Sequence, residues 1–115
     1  MAEIPFATVR VDDARIVKLM LEGATLCLWI RGWQGDKVLI EFTDVIGIEG
    51  FEITDVDLGR VHESTTDPLI EKSCSFAGEL RDGFNCYSFL SAWNDQPLLK
   101  VVAKSWKIRD ALTQP

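Results

Sequence analysis

The run TLCLWIRGWQGDKVLIEF, Thr25 to Phe42, is apolar on both sides of a central bend. A strand lying half in water alternates apolar and polar residues with period two, and neither arm alternates cleanly. The arms, Thr25 to Trp33 and Lys37 to Ile48, are rich in β-branched and aromatic residues, which predicts a hairpin turning through Gln34, Gly35 and Asp36. A three-residue loop sets Leu26, Leu28 and Ile30 on one face with Val38, Ile40 and Phe42. It leaves Cys27, Trp29, Arg31 and Trp33 on the other face beside Leu39 and Glu41. A loop of two or four residues instead groups the tryptophans with Val38, Ile40 and Phe42. In either register both faces are substantially apolar, so the hairpin is central and covered on both sides by the chain itself, a second subunit or a ligand.

Other segments extend the pattern. Thr8 to Val11 reads as a short first strand, ended by the turn-forming pair Asp12 and Asp13. Ala14 to Gly23 fits a strand or a short helix. Its β-branched pair, Ile16 and Val17, and its bounding turn residues favour a strand linked tightly through Glu22-Gly23-Ala24 to the next arm. Glu49 to Gly83 is irregular, with Gly50, Gly59, Pro68, Gly78, Gly83 and the polar run HESTTD; short strands or a helical turn fit Ile53 to Val61 and Leu69 to Phe76. Asn85 to Trp93 and Leu98 to Ile108 form a second hairpin through Asn94-Asp95-Gln96-Pro97. The expected fold is mainly β, an antiparallel sandwich or a strongly curled, partly open barrel built from hairpins; the alternative is α+β with a helix in the middle segment. No repeat, low-complexity tract or linker divides the chain, so residues 1–115 are expected to form a single domain.

Charge narrows the partners. With 12 basic and 18 acidic residues the net charge is −6, which repels polyphosphate backbones and anionic lipid surfaces. Nucleic acid binding would need a local basic patch. The basic concentration visible along the chain is Lys100, Lys104, Lys107 and Arg109, which reads as a solvated strand face, so neither nucleic acid nor membrane is expected as a partner. Cys27, Cys74 and Cys86 form no CxxC pair and are odd in number, as expected for reduced thiols in a cytoplasmic protein. The start MAEIPFATVR has neither the basic nor the apolar region of a secretory signal, and no apolar run is long enough to span a bilayer.

Candidate chemistry is sparse. His62 is the single histidine and has no evident accomplice, so an enzyme is the least supported class. Asp55 and Asp57 in TDVDLG resemble a fragment of a cation loop, but the glycine and terminal glutamate that such a loop needs are missing at their offsets. No metal site or cofactor is expected, and Cys27 and Cys86 read as small buried hydrophobes. The aromatic content is the unusual feature: Trp29, Trp33, Trp93 and Trp106, with Tyr87 and six phenylalanines. Trp29 and Trp93 read first as core rings, and Trp33 and Trp106, at strand ends, as interface rings. The candidate binding set is Trp29, Arg31, Trp33 and Trp106.

The succession DDARIVKLMLEG, TLCLWIRGW, KVLIEFTDVIGIEGFE and PLLKVVAKSWKI resembles small bacterial β-rich proteins, some of them grouped with the immunity proteins of toxin systems. That resemblance implies a cytoplasmic, acidic, non-enzymatic protein that binds another protein, and it carries no motif from which site residues could be transferred. The leading expectation is therefore a bacterial protein-interaction domain of immunity type, holding a protein partner or a second copy of itself as a homodimer through an aromatic sheet face edged with acidic groups. The alternative is a small-molecule binding barrel lined by Trp29, Tyr87, Phe89 and Trp93.

Overall fold

A computed structural model describes residues 6, 9–51, 53–54, 56–80 and 82–110. In chain order the elements are β1 (Arg15–Glu22), β2 (Thr25–Arg31), β3 (Lys37–Thr43), β4 (Gly47–Gly50), β5 (Leu58–Ser64), α1 (Pro68–Ala77), β6 (Asn85–Ser91), β7 (Pro97–Ala103) and β8 (Ser105–Asp110). The strands form two antiparallel sheets, sheet A in the order β1-β2-β3-β8 and sheet B in the order β4-β7-β6-β5. The fold is mainly β, an antiparallel sandwich with, among the described residues, one α-helix in the middle segment.

Turn chemistry fixes the first meander. Gly23, at φ +60°, opens the two-residue turn between β1 and β2, where a positive φ is required and glycine meets it without a Cβ clash. Between β2 and β3, Gly32 and Asp36 still pair through a backbone bond of 2.7 Å, so the loop is Trp33-Gln34-Gly35 with Gly35 at φ +92°. The loop has three residues, as in the first of the expected registers, but is displaced one position towards the N-terminus, which shifts each cross-strand partner by two residues. A partner shift of two preserves the faces: Leu26, Leu28 and Ile30 lie opposite Phe42, Ile40 and Val38.

Two strand pairs bend together between the sheets. At Asp44, which adopts a left-handed φ of +57°, the chain leaves β3 for β4. Alongside, β7 gives way to β8 at Lys104. The bonds Ile46 N to Val102 O, 2.9 Å, and Lys104 N to Thr43 O, 3.1 Å, join the two bent chains at this corner. The opposite side is pinned by isolated contacts: Asp13 N to Leu58 O, Leu58 N to Ala14 O, and a parallel bridge from Ile16 to Thr54. Val9 to Val11 form no strand, in contrast to the expectation from sequence; Val9 N instead closes a turn on Phe6 O, and Thr8 lies outside the described residues.

The core lies between the sheets. Sheet A supplies Ile16, Leu26, Leu28, Ile40 and Phe42, and sheet B supplies Leu58, Tyr87, Phe89, Leu99 and Val101. Phe6 sits among the rings, with centroids 4.9 Å from Tyr87, 5.7 Å from Phe89 and 5.1 Å from Trp106. Helix α1 covers part of the outer face of sheet B, where Ile70 and Cys74 pack with Phe84, Cys86 and Val102. Gly47 permits this approach, because a Cβ there would lie 2.0 Å from Ser73 Oγ. The hairpin that opened the question is thus covered by sheet B on its inner face. Its outer face is different.

Candidate functional site

Period-two alternation sends every second residue of sheet A away from the core, and strand pairing arranges those residues in rows. One row runs Arg15, Arg31, Lys37 across β1, β2 and β3; the next runs Lys18, Trp29, Leu39, Arg109; a third runs Met20, Cys27, Glu41, Lys107. Six cations therefore share one face with two carboxylates, Glu22 and Glu41. No described element covers this face, whereas α1 covers part of the outer face of sheet B.

Trp29 and Leu39 form its apolar centre and are 5% and 3% exposed, with Cys27 packed against them. The Lys18 ammonium lies 4.8 Å from the centroid of the Trp29 ring, a cation–π contact that leaves the charge at the surface. Trp29 Nε1 is buried without a hydrogen-bond partner. Glu41 receives Lys107 Nζ at 3.1 Å and Arg109 Nη2 at 3.4 Å. The Lys107 hydrogen bond outweighs burial and holds the Glu41 carboxyl below its ordinary range. Burial first, and then the neighbouring Glu41, push the Cys27 thiol up, so it stays protonated and a weak nucleophile.

The first row is electrostatically unfavourable in isolation, since like charges face each other directly across strands. Arg15 is compensated by Asp57 at 2.8 Å. Arg31 and Lys37 have no ion-pair partner among the described residues. Beside them a hollow of about 270 Å³ is walled by Asp13, Arg15, Arg31, Trp33 and Asp57. Trp33 is 74% exposed there.

Of the four candidate binding residues, three come together: Trp29 and Arg31 are neighbours on this face, and Trp33 stands at its end beside Arg31. Trp106 turns inward after the corner and packs on Phe6. Sequence reading missed Arg15, Lys18 and Lys37 as members of a basic surface, because cations isolated along the chain become neighbours only through strand pairing. The linear group Lys100 to Arg109 is divided: Lys107 and Arg109 join sheet A, Lys104 stands over the Phe84 ring, and Lys100 pairs with Asp67 at 3.0 Å.

Elsewhere, His62 is exposed on β5 opposite Ser88. Asp55 lies outside the described residues, and no group of three His, Cys, Asp or Glu side chains among the described residues is placed to hold a metal ion. Cys74, on the buried face of α1, and Cys86, on β6 beneath the helix, are free thiols, and burial pushes the Cys86 thiol up to about 11. Trp93, expected in the core, is 79% exposed because it falls in the β6–β7 turn, where it and Phe51 flank a groove of about 760 Å³. No described helix is long and apolar enough to cross a membrane. Comparison with family models, with curated proteins and with solved structures finds no match.

Proposed function

We propose that this chain is a bacterial, cytoplasmic protein-interaction domain of immunity type that holds an acidic surface of a partner protein on the outer face of sheet A. The observation that carries this reading is the gathering of six cations on the sheet face of Trp29 and Trp33, which no described element covers, in a chain of net charge −6. A basic face on an acidic body orients an encounter: a compact acidic patch is attracted to one side and repelled from the others. Arg31 offers a planar fork that fits a carboxylate, and the exposed Trp33 ring offers a rigid anchor beside it. A long polyphosphate would meet the acidic remainder of the surface, which favours a protein partner over nucleic acid. Nothing in the site favours the barrel reading, for Tyr87 and Phe89 fill the interior while Trp29 and Trp93 lie outside it.

The test is titration of the purified chain with a poly-glutamate peptide and with a single-stranded oligonucleotide, at low and high salt. Binding to poly-glutamate should weaken steeply with salt and fall about tenfold or more in Arg31→Glu/Lys37→Glu, since two rim contacts change sign. Tighter binding to the oligonucleotide, or indifference of poly-glutamate binding to the double substitution, would overturn the assignment.

A further inference from the structure

Strand β1 is an edge of sheet A, with Ile16 bridged to Thr54 at its start and no described strand beyond that point on its free side. The segment Lys18 to Glu22 therefore presents an open row of backbone groups. Natural proteins blunt such edges with charges or bulges, and here the register shift that leaves Val17 unmatched protects only the beginning. Beyond it Lys18 and Glu22 bracket three apolar residues, of which Met20 is 42% exposed and Leu21 is 51% exposed although it projects on the core side. On that side of the sheet Leu21 pairs with Leu26 of β2 and has no described strand on its other flank.

From these features we infer that a second copy of this chain occupies the edge, pairing antiparallel with β1 across a two-fold axis at Met20. Only registers that match like faces are permitted, because outward residues must lie opposite outward ones. An axis at Lys18 opposes two ammonium groups, and one at Glu22 opposes two carboxylates. An axis at Leu19 sets Lys18 against Met20, and one at Leu21 sets Glu22 against Met20. The axis at Met20 alone sets Lys18 opposite Glu22 of the copy twice over, Met20 opposite itself, and Leu19 opposite Leu21, which gives Leu21 an apolar neighbour on its free flank. The interface is isologous, as a closed dimer requires. It joins two copies of sheet A into one eight-stranded sheet and shares Lys18 with the basic outer face.

Five paired residues per chain bury less than the roughly 1,000 Å² of a stable interface, so the dimer is weak, with a Kd on the order of 100 μM. Sedimentation equilibrium from about 10 μM to about 1 mM should show a monomer–dimer transition. Lys18→Glu alone and Glu22→Lys alone should each weaken it at least tenfold by opposing like charges, and the double swap should restore it. Met20→Lys should leave a monomer, with the thermal midpoint at low concentration unchanged because the side chain is exposed. A wild-type monomer throughout, or a dimer indifferent to Met20→Lys, or failure of the double swap to restore pairing while its fold is intact by circular dichroism, would overturn the inference.

Discussion

Trp29 occupies the middle of a face that no described element covers and yet is almost wholly buried, because Leu39 and Cys27 pack beside it and Lys18 stands over its ring. Its area stabilises sheet A on the side away from the core, and its indole N–H finds no acceptor. An unsatisfied buried donor costs about 1–3 kcal/mol, which offsets part of what the ring contributes. Two substitutions separate these effects. Trp29→Phe removes the donor and keeps an apolar ring, so its net cost in urea unfolding should be within about 1 kcal/mol. Trp29→Ala should cost about 3–5 kcal/mol. A Phe variant as damaged as the Ala variant would mean that Nε1 is hydrogen-bonded in solution. The function assigned to this face predicts something further for Trp29→Phe: poly-glutamate binding should survive, since the cations that surround the ring remain.

At the scale of elements, α1 shows how local signals and tertiary packing divide the work. Asp67 caps the helix by accepting from the Leu69 N–H at 2.9 Å, Pro68 takes the first turn where no N–H is needed, and Gly78, at φ +70°, ends it. These signals are legible as Asp67-Pro68 and Gly78, but the ten residues between show only a narrow apolar stripe, so the sequence left strand and helix open there. The β2–β3 hairpin is the more legible element, since moving a three-residue loop by one position shifts the pairing by two residues and leaves every side chain on its face. Asp67 also pairs with Lys100; burial raises its carboxyl, but the Leu69 N–H and Lys100 outweigh that and hold it below its ordinary range. A carboxyl depressed in the folded state adds stability above its unfolded pKa and loses it as pH falls through the folded one. Asp67→Asn keeps a capping oxygen and discards the charge. It should therefore be less stable than wild type at pH 7, with the gap closing as pH falls below the ordinary carboxylate range, whereas Asp67→Ala should lose a further 1 kcal/mol or so at every pH. Denaturant midpoints across pH measure both, and a gap between wild type and Asp67→Asn that persists at low pH would contradict the assignment.

The whole molecule is organised by one bent ribbon and one seam, and that arrangement made the site invisible in the linear sequence. Lys107 and Arg109 reach the face of Lys18 and Arg31 only because β8, from the end of the chain, pairs with β3 after the corner at Lys104. Hydrophobic spacing specifies faces but not strand order, so six cations that gather in space read as scattered charges. The same topology sets unequal stability around the sandwich. At the corner, the bonds of Ile46 and Lys104 continue into the ladders β4–β7 and β3–β8 on either side, so breaking one opens neither sheet. At the seam, the Asp13 and Leu58 amides are held by isolated bonds beside one bridge, with no ladder to share the cost of opening. Native-state hydrogen exchange should therefore find Ile46 and Lys104 protected to nearly the global unfolding free energy, and Asp13 and Leu58 exchanging through a smaller opening by about 2 kcal/mol or more. Raising denaturant should bring the two pairs together only near the unfolding midpoint. Equal protection at corner and seam would show that the sheets open as one unit, and that the seam closes the sandwich as firmly as the ribbon does.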